Sequence, residues 1–226
     1  MVESNSYNSL IEIGLADYLM TRGGGDIIEE KWMVNLGSYI SNLTDKNKRI
    51  LKNKIEKKKN ETHSQHNDAL HEISIACAFY DSVNFLEENN NISTPDFCSN
   101  GIHVEVKTIN NSNVEKNRLN DISKRRCCMI SNAWDESKIK IFMDLAANVM
   151  VKKFNYHIKT AIRQLNMNGG HVWIVYTIDY PPGFHKYEEL KSEIENKFDK
   201  IIENLQVGYE VRYIYFVRLR EKIKNN

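Results

Sequence analysis

Asp96, Glu105 and Lys107 are the residues whose types and spacing best support chemistry. An acid, any residue, then lysine is a feeble signal alone, since it recurs at Glu29, Glu56, Glu136, Glu189 and Glu195 as well as at Glu105. Context separates one of the six. Only Glu105 lies in an alternating stretch, where Ile102, Val104 and Val106 interleave with His103, Glu105 and Lys107. Side chains two apart on a strand share a face, so carboxylate and ammonium stand side by side. Only Glu105 also follows a Pro-Asp pair, Pro95 and Asp96, nine positions earlier (105 minus 96), with a turn at Ser99, Asn100 and Gly101 between them. Two short antiparallel strands joined there bring both carboxylates to the same end of a sheet.

That geometry suits metal-assisted hydrolysis of a phosphodiester. Two hard oxygen ligands hold Mg²⁺, with Mn²⁺ as a substitute, and leave most of the coordination sphere to waters and phosphate oxygens. The ion polarises the phosphate and activates a water. Lys107 beside the carboxylates orients or deprotonates that water and stabilises charge developing on phosphate, provided the ion helps depress its pKa. The plain structural alternatives are a salt bridge for Lys107, a turn cap for Asp96 and a solvated strand face for Glu105.

Pro95-Asp96 followed by Glu105-Val106-Lys107 resembles the signature of the PD-(D/E)xK nuclease superfamily, over about half of the chain. The resemblance implies a restriction-endonuclease-like core in which a helix precedes three strands, then a helix and another strand. It also implies a Mg²⁺-dependent DNA endonuclease, of a type II restriction-like or mobile-element kind. RNA or a branched DNA junction is the alternative substrate, and a non-catalytic nucleic-acid-binding protein on the same fold is the alternative from another class. Members often carry an acid on the helix before the motif, which makes Glu72 the third metal ligand beside Asp96 and Glu105, with Glu87 or Glu88 as substitutes. The following helix often supplies a polar residue facing the site, and Gln164 takes that place. In branches where this residue is a glutamine, a tyrosine follows four positions later, and Asn168 stands there instead. By family analogy the protein is a homodimer.

Around this set, Thr108 is a phosphate donor and His103 borders the site. Lys116, Arg118, Lys124, Arg125 and Arg126 follow the motif strand and are placed to contact a nucleic-acid backbone, positioning it without reading its sequence. Trp134 is suited to base stacking or to the core. Lys46 to Lys59 is the densest cationic run, and it reads either as a phosphate grip or as a solvated helix face or linker. His63, His66 and His71 match no common zinc spacing and have no cysteine near them.

These residues need elements to position them. Leu70, Ile73, Cys77 and Tyr80 recur at helical spacing from Asn67 to about Ser82. Short strands follow at Val83 to Leu86, Thr94 to Phe97 and Ile102 to Ile109. A helix is expected from Asp144 to Leu165, a strand buried on both faces at His171 to Ile178, a charged helix from about Tyr187 to Leu205, and a last strand from Glu210 to Leu219. The fold class is thus α/β, a mixed sheet flanked by helices. Residues 1–60 form an N-terminal helical accessory region, with a helix starting near Asp26, and residues 61–226 form the nuclease-like domain.

Composition constrains the rest. With 41% hydrophobic and 27% charged residues the chain is of globular type, and its net charge of +1 means that any polyanion binding must be local. Cys77, Cys98, Cys127 and Cys128 show no CxxC pairing and fit reduced thiols. No segment has the character of a membrane span or secretory leader, so a cytoplasmic location is expected.

Overall fold

The computed structural model describes residues 8–15, 30–59, 66–87, 94–109, 136–165, 169–178, 184–205 and 208–215. Its helices are α1 (Glu30–Ser41), α2 (Asp45–Lys59), α3 (His66–Phe79), α4 (Glu136–Gln164) and α5 (Tyr187–Glu203). Its strands are β1 (Asn84–Phe85), β2 (Phe97–Ser99), β3 (Ile102–Ile109), β4 (Gly170–Tyr176) and β5 (Tyr209–Tyr215). They form one mixed sheet in the order β1-β2-β3-β4-β5.

The first two pairings are antiparallel and the last two parallel. β2 and β3 meet in a two-residue hairpin, because Asn100 and Gly101 both take positive φ, 50° and 82°, which matches the twist of paired strands. Strand β2 therefore runs right up to Ser99, opposite Ile102, and not over the expected Thr94 to Phe97. Pro95, which has no N–H to donate, falls outside the ladder. Parallel pairing of β3 with β4 needs a crossover, and α4 supplies it. That helix begins at Glu136, about two turns before the expected Asp144.

Two cores lie on opposite faces of the sheet. Val104, Val106, Trp173 and Val175 point towards α3, where they pack with Ile73, Ala76 and the N-terminal residues Leu36, Ile40, Leu51 and Ile55. The N-terminal helices thus share a core with the sheet. Ile109, Val172, Ile174 and Tyr176 point the other way, onto Phe154 and Ile158 of α4 and Ile194 and Phe198 of α5. Phe154 stacks on Phe198 at 3.7 Å between ring centres. Burying each such ring contributes about 1.5–3 kcal/mol.

Helix α3 is covered on both sides, by the sheet and by α2, which is why its polar His71 and Glu72 are buried with its apolar residues. At the start of β4, Gly170 has φ 143° and a Cβ there would lie 2.5 Å from the carbonyl oxygen of His103. Only glycine lets the two backbones approach so closely. No helix among the described residues is long and apolar enough to cross a membrane.

Candidate metal centre

The shortness of β2 creates the site. Its ladder with β3 ends at Phe97 opposite Val104, so the amide of Val106 further along β3 has no strand partner on that side. A buried N–H must be satisfied. Asp96 does this with its side chain, Oδ2 accepting from the Val106 N–H at 2.8 Å, while its own N–H donates to Val104 O at 3.1 Å. The Pro-Asp pair is thereby fixed beside the middle of β3.

Glu105 and Lys107 stand on that strand as the alternation predicts, on the face that carries Ile109 towards α4. Glu105 is fully buried, at 0% exposure. The Lys107 ammonium pairs with its Oε1, while Oε2 has no hydrogen-bond partner among the described residues. Burial first, and then repulsion from Asp96, pushes the Glu105 carboxyl up to about 8, against the pull of Lys107.

For Lys107 burial alone would favour the neutral amine. The charges of Glu105, Asp96 and Glu72 outweigh it, and the net shift is upward. Without a divalent cation, this lysine is an ammonium rather than a base.

Glu72 comes from α3 and is also buried, its carboxyl raised to about 7 by burial and by Asp96, against the pull of Lys54. The charge of Glu72 is felt in turn at Glu105. Of the other acids weighed for this place, Glu87 is exposed and paired with Arg49 at 3.5 Å, and Glu88 lies outside the described residues.

One residue absent from the sequence-derived site is Lys54. It belongs to the cationic run expected to be a solvated face or a phosphate grip, and Lys52 and Lys57 are indeed exposed. Lys54 instead points inward, 6% exposed, with Nζ 2.7 Å from Glu72 Oε2 and 3.5 Å from Asp96 Oδ1. Its neighbours one turn away, Ile50 and Leu51, are core residues, and that helical period is the signal that marked it.

A second addition is His157 on α4, pressed down to about 4 by burial and then by the charges of Lys107 and Lys153. It is therefore a neutral imidazole near the lysine. Gln164, the residue expected to face the site from this helix, sits half-buried two turns further on.

Thr108 points to the other face, where its hydroxyl lies 2.9 Å from His71 Nδ1 on α3. Lys116, Arg118, Lys124, Arg125, Arg126 and Trp134 lie outside the described residues, as does His63.

Does this donor set suit a divalent cation? Among the described residues no group of three His, Cys, Asp or Glu side chains converges closely enough to hold one unaided. Two ammoniums sit among the acids, Lys54 against both Glu72 and Asp96 and Lys107 against Glu105. The chemistry fits nonetheless. The donors are hard carboxylate oxygens, and Glu72 and Glu105 are raised first by burial and then by repulsion from Asp96, a cost that a divalent cation would relieve. No family model matches the chain, and no curated protein or solved structure matches it, so the chemistry of this cluster is the basis for a function.

Proposed function

We propose that the protein is a Mg²⁺-dependent endonuclease that hydrolyses phosphodiester bonds in DNA, built on a restriction-endonuclease-like core of the PD-(D/E)xK kind. The observation that carries this is the fully buried Glu105 carboxylate on β3, paired with Lys107 and acted on by the charges of Asp96, just before β2, and Glu72 on α3. The element order supports the fold: a helix, an antiparallel three-stranded unit, a crossover helix and a parallel strand.

Asp96 and Glu105 would hold a divalent cation, with Glu72 as the third carboxylate. A bound Mg²⁺ (or Mn²⁺) polarises the scissile phosphate and lowers the pKa of a coordinated water. Lys107, beside Glu105 on the same strand face, would orient the attacking water and neutralise charge developing on the phosphate. Asp96 keeps its position because the Val106 N–H holds one of its oxygens. Backbone phosphates outside the centre are gripped by the basic segment of Lys116, Arg118, Lys124, Arg125 and Arg126, with Gln164 in a lesser, supporting role; Thr108, turned to His71 on the other face, has none. A cytoplasmic homodimer completes the proposal.

Cleavage of duplex DNA, single strands, a four-way junction and RNA over a Mg²⁺ and Mn²⁺ series tests it. Duplex DNA is the expected substrate, and Lys107→Ala or Asp96→Ala lowers the rate by about 10²-fold or more. Equal rates in wild type and Lys107→Ala overturn the assignment, and preferential cutting of RNA or junctions moves it to that substrate class.

A further inference from the structure

Lys54 has a place in the centre that neither the motif nor the mechanism above accounts for. Helix α2 is locked in position: Asn47 is buried, its amide nitrogen donating to Val83 O at 2.8 Å and its amide oxygen accepting from the Phe85 N–H at 3.0 Å. Ile50, Leu51 and Ile55 are in the core. The lysine between them is thus held by the scaffold, and its Nζ lies between Glu72 and Asp96, at 2.7 and 3.5 Å. Taking an ammonium out of water is expensive, and a well-packed apolar side chain in place of a buried ion pair is often as stable or more so. Stability alone is a weak reason for this arrangement.

Charge supplies a stronger one. With Glu72, Asp96 and Glu105 all ionised, as a bound cation would hold them, three carboxylates and two ammoniums contribute a single net negative charge. One divalent cation turns that into a single positive charge, matched to the single negative charge of a phosphodiester. A second divalent cation would leave three positive charges in a site whose carboxylates are buried, and like charges at that spacing repel strongly.

We propose that Lys54 is a resident monovalent cation of the centre: it holds Glu72 and Asp96 together against their repulsion and fills the place a second divalent ion would take, so that one divalent ion suffices. The inference rests on the nuclease assignment for the identity of the bound ion. Lys54 acts here as a positioning residue, through the carboxylates and not on the reacting atoms.

The number of bound Mn²⁺ ions per chain tests this directly, read from the loss of the free-ion signal in electron paramagnetic resonance on titrating the full-length protein. Wild type and Lys54→Arg are expected to bind one ion in the centre. In Lys54→Ala the freed carboxylates take a second, and cleavage then rises sigmoidally with Mg²⁺ where the wild type saturates hyperbolically.

Two ions per wild-type chain, lost on Glu105→Gln, overturn the inference and leave the nuclease assignment standing. So does a folded Lys54→Ala that still binds one ion with wild-type affinity. A wild type that binds no Mn²⁺ and cuts no nucleic acid overturns both. The wild-type count needs no variant, so the proposal can fail even where Lys54→Ala does not fold.

Discussion

Replacing Glu105 by glutamine should make the metal-free protein more stable while destroying the proposed centre. The carboxyl of Glu105 is 0% exposed, and its pKa rises from an ordinary 4.5 to about 8 because burial and Asp96 both oppose its charge. The sign follows from proton binding. A folded acid that keeps its proton while the unfolded acid releases it costs stability as pH rises, from 4.5 until the folded group also ionises near 8. At pH 7 the difference is about 3 kcal/mol.

Glutamine carries no such cost, but Lys107 loses its closest carboxylate, which returns about 1 kcal/mol. The net gain of about 2 kcal/mol corresponds to roughly 4–8 °C in melting temperature for a chain of this size. Thermal melts in EDTA at pH 5 and pH 8 read it, and the gain should be below about 1 kcal/mol at pH 5 and largest at pH 8. Added Mg²⁺ closes the gap from the other side, since an ion at a hundredfold above its Kd stabilises the wild type by about 2.7 kcal/mol and has little to bind in the variant. A variant that melts below the wild type in EDTA at pH 8 refutes the reasoning, because the carboxylate would then be a net stabilising group.

Two further perturbations probe the scaffold around the centre. Asn47→Ala removes two buried hydrogen bonds and strands the Val83 carbonyl and Phe85 amide, so urea unfolding should show a loss of about 2–4 kcal/mol, and a loss under about 0.5 kcal/mol would mean that α2 is not anchored there. His157→Gln concerns acid stability: the ring is held at about 4 against an ordinary 6.5, so folding stability present above pH 6.5 is lost as pH falls towards 4. The glutamine variant should therefore unfold less readily at pH 4.5, by about 1–2 kcal/mol after allowance for partial solvation, and matching acid unfolding curves for the two proteins would contradict the burial of that imidazole.

How much of this was legible in the chain differs from residue to residue. The pairing of Glu105 with Lys107 follows from a two-residue period, which depends on nothing outside β3, and the structure keeps the strand at Ile102–Ile109 as the period predicts. The doubly buried β4 was equally plain, since Val172 to Tyr176 is apolar on both faces and both faces meet a helix layer. The alternation of strands and helices, and hence the mixed sheet, came from the same local patterns.

Position within the second strand was not legible in that way. Whether residues 94–97 or 97–99 pair with β3 depends on where the turn falls, and the Asn-Gly step fixes that. The role of Asp96 then follows from where that ladder stops.

Glu72, Lys54 and His157 show what tertiary structure alone decided. A helix period can say that Lys54 neighbours core positions, but a lysine beside an apolar stripe ordinarily turns its ammonium to water. It turns inward here because Glu72 and Asp96, brought in from two other elements, wait there. Likewise nothing in α4 by itself marks His157 as a residue that feels the charge of Lys107, because that depends on how the crossover helix lies across β3. The sequence determined which residues share a strand face; packing of distant elements determined which charges meet, since burial and Coulomb energy depend on distance in space and not along the chain.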